Sequence, residues 1–254
     1  MDKTSSTGSV EAYRTGTATH IDCACVIHGD AYSWTYVERL YSMLTRHITP
    51  GIRLHVYTEA ARTVPEPYIK HNLIDWGIGG PKLSWWYKMQ LFNPEHHAGP
   101  LLYFDLDTVI TNNVDWIWQL PTEYFWAVRD FKYLWRPTYS GLNSSVMWWD
   151  TNKHAHVWNQ FAQEDLPKIM RKHHGDQDYI SSNIPVNQRR FFELERVKSW
   201  RWECLGGGYN FKKRNYQNKN LEATISPNTS VVIFHGHPKP HELPDNTFVF
   251  ENWK

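Results

Sequence analysis

Two aspartates one residue apart, Asp105 and Asp107, end the apolar run Leu101-Leu-Tyr-Phe104. Such a run reads as a buried strand. In open α/β sheets the ligand crevice lies outside the carboxyl ends of the strands. Carboxylates beside a core are costly without a counter-charge, so a cation is their natural partner. Hard oxygen donors suit Mg2+ or Mn2+, ions that complete their shell with water and substrate phosphates. The segment therefore predicts metal-assisted chemistry on a phosphorylated substrate.

A second chemical segment lies near the C-terminus. His235 follows the apolar run Val231–Phe234, and an imidazole can join carboxylates on Mn2+. Lys239, held between Pro238 and Pro240, sits on a rigid loop that can aim its ammonium at a phosphate. With 14 histidines in the chain, His235 is equally a plain surface residue. Lys82 and Lys88 bracket an aromatic stretch, where either meets a diphosphate or sugar, or simply faces solvent. Tyr57 and Thr58 end a second apolar run, a place to meet a base or ribose.

These groups need a scaffold. Ile21–Ile27 reads as a strand. Trp34, Val37, Leu40, Tyr41 and Leu44 follow at helical spacing, and after Pro50-Gly51 the run Ile52–Tyr57 alternates as a strand. Strand, helix, strand opens a doubly wound sheet. The spacing further predicts a third strand over Asn72–Trp76, a helix over Leu83–Phe92 stopped by Asn93-Pro94, and strands over Tyr124–Arg129, Ser145–Asp150 and Val231–Phe234. Helices are expected over Ala155–Gln163 and Gln177–Ser182, and Arg189 to Asn228 shows no clear pattern. Residues 1–19 read as a disordered leader, and residues 20–254 as one domain.

Composition narrows the function. The 27 basic and 26 acidic side chains leave a formal charge of +1, which favours neither nucleic acid nor an anionic membrane. The 14 Trp, 14 Tyr and 11 Phe bring large buried area and possible stacking on sugars or bases. Cys23, Cys25 and Cys204 read as buried reduced thiols, with Cys23 and Cys25 on one strand face. With no signal-peptide pattern and no run of 18 apolar residues, a soluble cytoplasmic protein without a membrane span is expected.

Taken together, these segments resemble the GT-A glycosyltransferases, nearest in layout to glycosyltransferase family 8, the glycogenin-like enzymes and related viral and bacterial sugar transferases. The likeness runs from about residue 21 to 241. It rests on His28-Gly-Asp-Ala-Tyr32, Lys82 to Phe92, Tyr103-Phe-Asp-Leu-Asp-Thr-Val-Ile110, Gly141-Leu-Asn-Ser-Ser-Val-Met-Trp148, Gly175-Asp-Gln-Asp-Tyr179 and Phe234-His-Gly-His-Pro-Lys-Pro240.

The resemblance implies an α/β GT-A, Rossmann-like fold with a mixed, mostly parallel central sheet flanked by helices. It implies a Mn2+- or Mg2+-dependent transfer from a nucleoside diphosphate sugar, with uridine as the expected base, to a hydroxyl acceptor such as a glycan. His28, Gly29, Asp30 and Tyr32 would hold the nucleoside. Asp105 would approach metal and ribose, Asp107 the metal directly, and His235 would be the third ligand. Gly236 and Lys239 would meet the diphosphate. Asn143 and Ser144 would line the donor sugar, and Asp178 or Asp176 would stand near the anomeric carbon or the acceptor. Two departures from the family pattern stand out: Lys239 follows His235 by only four positions, so that His237 competes with His235 as the ligand, and Asn-Ser-Ser replaces Asn-Ser-Gly.

Two other readings compete. A haloacid-dehalogenase-like phosphatase would use Asp105 as nucleophile, but its motif belongs on the first core strand and here about 80 structured residues come before it. A nucleotide-sugar-binding protein without activity would keep the same donor site.

Overall fold

The computed structural model describes residues 19–80, 83–205, 209–210, 215–216 and 223–254. Most of the leader expected over residues 1–19, and Lys82, lie outside these.

The chain opens with strand β1 (His20–Val26), helix α1 (Thr35–His47), β2 (Gly51–Thr58) and the short β3 (Ile69–Asn72). A nine-residue 3-10 helix (Ser84–Phe92) leads into β4 (Pro100–Phe104) and β5 (Thr108–Ile110). Next come α2 (Asp115–Trp118), β6 (Phe125–Arg129), β7 (Leu142–Asp150), α3 (Ala155–Gln163), α4 (Leu166–Lys172) and α5 (Asp176–Asn183). The remainder holds β8 (Arg189–Phe191), β9 (Val197–Ser199), a π-helical turn (Trp200–Cys204), and the small pair β10 (Tyr209–Asn210) and β11 (Asn215–Tyr216). Strand β12 (Val231–Ile233) and helix α6 (Thr247–Asn252) close the chain.

The main sheet has seven strands in the order β3-β2-β1-β4-β7-β6-β8. Only β7 runs against its neighbours β4 and β6, so the sheet is mixed and mostly parallel, as expected. A second sheet has the order β5-β12-β9.

Two apolar layers cover the main sheet, and strand alternation assigns residues to each. Ile21, Cys23, Cys25, Val146 and Trp148 face the layer that α1 closes with Val37, Leu40, Met43 and Leu44. Ala24, Tyr57, Met147 and Trp149 face the layer closed by the 3-10 helix, α3 and α5. Trp148 and Trp149 are both fully buried, so neither is offered to a ligand. Cutting either back to alanine should cost about 3–5 kcal/mol. Cys23, Cys25 and Cys204 are free and buried, as their sequence context predicts.

The local departures have physical causes. The third strand forms one step earlier than Asn72–Trp76, because Ile69–Asn72 is a polar, exposed strand at the sheet edge. The stretch Leu83–Phe92 winds as a 3-10 helix with every residue from Trp86 to Phe92 buried. Such a helix must satisfy its polar members inside, and Gln90 does so by bonding Ile74 N at 2.7 Å and Ile74 O at 2.9 Å. The run Leu101–Ile110 is two strands, one in each sheet, and Asp105-Leu106-Asp107 is the corner between them. Among the described residues, no helix is long and apolar enough to cross a membrane.

Candidate active site

The chain runs β1-β2-β3 in one direction and then returns to place β4 on the other side of β1. This reversal is the switch point at which open α/β sheets bind ligands. Register pairs Cys23 with Leu102 and Ala24 with Tyr103, so the end of β1 and the end of β4 open side by side. His28 and Gly29 follow one strand, and Asp105 follows the other.

The corner is held from both sheets. Asp105 N donates to Ser145 O at 2.7 Å, and Phe234 N donates to Asp107 O at 3.0 Å. The second bond continues the antiparallel pairing of β5 with β12. It brings the C-terminal loop, with Lys239, to the aspartates.

Each aspartate is met by its own lysine. Lys88 Nζ lies 2.9 Å from Asp105 Oδ1 and 3.2 Å from Asp176 Oδ2. It also donates to Ser144 Oγ at 3.0 Å, and Ser144 Oγ donates to Asp176 Oδ2 at 2.6 Å. Tyr103 OH donates to Asp105 Oδ1 at 2.6 Å. Burial works against the Lys88 charge, but Asp105 and Asp176 outweigh it and hold the ammonium protonated. Burial likewise opposes the Asp105 charge, and Lys88 and Tyr103 pull its pKa below the usual range.

Lys239 Nζ makes an ion pair with Asp107 Oδ2, which also accepts from Tyr32 OH at 3.0 Å. Burial, together with the charge of Asp105, pushes Asp107 upward against the pull of Lys239. Burial and the two aspartates raise the Tyr32 phenol, which keeps it a donor.

Other expected residues fall around this centre. His28 stacks on Tyr87 with ring centroids 3.8 Å apart, and Tyr87 stacks on Trp76 at 5.3 Å. Gly29 has φ +64, a backbone suited to glycine. Its N–H donates to Glu59 Oε1, and its carbonyl accepts from Arg62 at 2.8 Å. Asp30 is exposed. Thr58 is buried and donates to Glu59 Oε2 at 2.7 Å, while Tyr57 is buried beneath His71, away from this cleft. Asn143 is half-buried and accepts from Ser145 N at 3.0 Å.

Asp176 and Asp178 part company. Asp176 joins the Lys88 cluster, whereas Asp178 Oδ2 accepts from His174 N at 3.2 Å. The two histidines also differ. His235 Nε2 lies 2.7 Å from Ser199 Oγ, with its ring stacked on Phe131 at 5.3 Å. Burial drives its pKa down to about 3, aided by the nearby charges of Arg201 and Lys239, so the ring is neutral. His237 is exposed and pairs with Glu242 at 2.9 Å. Gly236 between them has φ +73, and a Cβ there would meet Arg201 Nη1 at 2.5 Å. The left-handed turn favours glycine here, whereas the arginine tip could move aside.

The donor chemistry at the corner fits a hard divalent ion: two carboxylates, with a neutral imidazole on the adjoining loop. Each carboxylate now takes a lysine as counter-charge. Among the described residues, Asp105, Asp107 and His235 do not converge to ligand spacing; the group that does is Asp22, His55 and His97. Sequence reasoning missed Glu59, Arg62, Tyr87 and Tyr103. The position of Glu59 directly after the second apolar run, beside Thr58, was the one available signal.

No protein-family model and no curated protein sequence matches this chain. Solved structures do. An active-site mutant of LgtC superimposes with a TM-score of 0.57 at 11% identity, over 87% of this chain and 89% of that one. The glycosyltransferase GlyE of Streptococcus pneumoniae TIGR4 gives 0.59 at 14% identity, over 88% of this chain and 56% of GlyE. The bifunctional glycosyltransferase WbbM gives 0.56 at 10%, over 87% of this chain and 47% of WbbM. With the sheet order and its single reversed strand, these likenesses establish that the chain has the GT-A glycosyltransferase fold.

Proposed function

We propose that residues 20–254 act as one metal-dependent glycosyltransferase domain. The domain moves a sugar from a nucleoside diphosphate sugar, UDP-linked, to a hydroxyl of a glycan acceptor. One observation carries this reading: Asp105 and Asp107 stand at the switch point, met by lysines from two distant segments, Lys88 and Lys239. A galactosyltransferase among the similar structures, LgtC, was solved with donor and acceptor sugar analogs.

In this reading Asp105, Asp107 and His235 would draw together to hold Mn2+ or Mg2+, and the ion would supply positive charge to offset that on the departing diphosphate. Lys239 would exchange Asp107 for the diphosphate, and Lys88 would serve the donor from the other side of the corner; Lys82, the alternative to Lys88, lies outside the described residues. His28, Gly29, Asp30 and Tyr32 line the nucleoside end, with Thr58 behind them. Asn143 and Ser144 line the sugar. The bond from the anomeric carbon to the phosphate oxygen breaks and one to the acceptor oxygen forms, while the acceptor proton passes to a base. Positive charge builds on the anomeric carbon, and Asp176 is the carboxylate in the cluster placed to stabilise it.

The test is calorimetric titration with UDP and other nucleoside diphosphates, with and without Mn2+, followed by an assay of nucleotide-sugar hydrolysis. Metal-dependent UDP binding that Asp107→Ala abolishes is expected. If UDP binds equally well without metal, or survives Asp107→Ala, the reading fails. Release of phosphate from a simple monoester would favour a phosphatase instead.

A further inference from the structure

We propose that Asp22, His55 and His97 form a second metal site, built for Zn2+, on the face of the sheet behind the donor cleft. Asp22 stands on β1 and His55 on β2, with side chains on the layer opposite α1, and His97 comes from the loop between the 3-10 helix and β4. One ligand atom of each lies within 4.8 Å of the others. Two imidazoles and a carboxylate suit Zn2+, which takes such ligands at about 2.0–2.2 Å in a tetrahedron. The site is separate from the aspartate corner, since Asp22 lies four residues, about 13 Å, before the end of β1.

The surroundings of each ligand are those of a metal site. Metal-bound histidines usually donate their second N–H to a carbonyl, a carboxylate or another partner that fixes the ring. His97 Nε2 donates to Pro100 O at 3.1 Å, which in the neutral ring leaves Nδ1 as a lone pair. His55 Nδ1 faces His71 Nε2 at 2.8 Å. If His55 donates there, its Nε2 lone pair faces Asp22 Oδ1 at 3.1 Å, and two acceptors at that distance need a cation between them. Arg53 fixes the carboxylate through bonds of 2.6 and 2.7 Å.

A second observation points to a missing partner here. Tyr57 OH and His96 Nε2 are buried beside the cluster with no hydrogen-bond partner among the described residues. Both rings contact His71, Tyr57 at 4.5 Å and His96 at 6.0 Å. Orphaned buried polar atoms are uncommon and call for a water or an ion. A water completing the zinc shell would meet that need. The competing arrangement is a proton on His55 Nε2 donated to Asp22, with His71 donating to His55.

The test uses the full chain, stripped with chelator and titrated with Zn2+ by calorimetry, with Co2+ as a spectroscopic probe. Expected are a site that survives Asp107→Asn and visible bands of four-coordinate Co2+. His97→Ala should weaken Zn2+ binding at least about tenfold, while thermal melting shows the variant folded. The proposal is overturned if no Zn2+ binds, if Asp107→Asn abolishes all binding, or if His97→Ala leaves affinity unchanged. None of these results bears on UDP binding, so this site and the proposed function stand or fall separately.

Discussion

Lys239 reaches across 132 positions of sequence to place its ammonium on the carboxylate of Asp107. The contact depends on the pairing of β12 with β5, which delivers the C-terminal loop to the corner between the two sheets. Under the proposed function Asp107 is a metal ligand, and the lysine that neutralises it would exchange that partner for a phosphate once a cation arrives.

Lys239→Ala should therefore separate two affinities. UDP binding in the presence of Mn2+ should weaken about tenfold or more, the scale of one lost charge-assisted contact of 1.5–3 kcal/mol. Binding of Mn2+ alone should hold or tighten, because Asp107 loses a competing cation. Parallel calorimetric titrations read both. Equal loss of both affinities would mean that Lys239 supports only the local fold.

Lys88→Met should be destabilising by about 3–5 kcal/mol, because it leaves Asp105 and Asp176 buried without their counter-charge. Adding Asp176→Asn removes one of those charges and should recover part of the loss. Denaturant unfolding of the single and double variants checks the sign. A double variant no more stable than Lys88→Met would argue against the pairing.

Asp176 and Asp178 should respond differently to the same change. Asp176→Asn disturbs the group shared by Lys88 and Ser144 and should lower turnover about 100-fold or more, the range for a positioned catalytic carboxylate. Asp178→Asn weakens only the bond to His174 N and should cost less than about tenfold. Steady-state rates on one donor and acceptor pair decide the order, and the reverse ranking would move the catalytic role to Asp178.

Stability should fall with acid through His154. Its ring is buried against Phe125, and burial lowers its pKa from 6.5 to about 4. The unfolded chain takes up this proton first, so the contribution is complete above about pH 6.5 and is lost as pH falls through about 4. At 1.36 kcal/mol per unit it amounts to about 3 kcal/mol. Unfolding free energies from pH 8 to 4 should drop less steeply in His154→Gln than in the native chain, and parallel curves would refute the assignment.

The parts of this molecule that sequence could show are those written in local periodicity. Helix α1 and strands β1, β2, β6 and β7 repeat their apolar residues at helical or strand spacing, and the α3 boundaries, Ala155–Gln163, coincide with the expected ones. The corner at Asp105 was invisible as a corner, because Leu101–Phe104 and Thr108–Ile110 are apolar alike while belonging to different sheets. Strand β3 carries no apolar pattern because its four residues are mostly exposed, whereas the apolar Leu73 and Ile74 just beyond it mimic a strand. The aspartates, Lys239 and the histidines stood out by residue type. What joined them, such as Glu59 under Gly29 or Lys88 between Asp105 and Asp176, depends on partners 17 to 88 positions away. No spacing rule reports contacts of that range.

The corner also couples the two sheets mechanically. Asp105 hangs from the main sheet through Ser145, and Asp107 from the small sheet through Phe234. One leucine separates them, so a ligand that grips both carboxylates rivets the seam between the sheets. Donor binding would then be a cross-link as well as a recognition event. At a hundredfold excess over its Kd it would add about 2.7 kcal/mol to a joint otherwise carried by backbone pairing and packing.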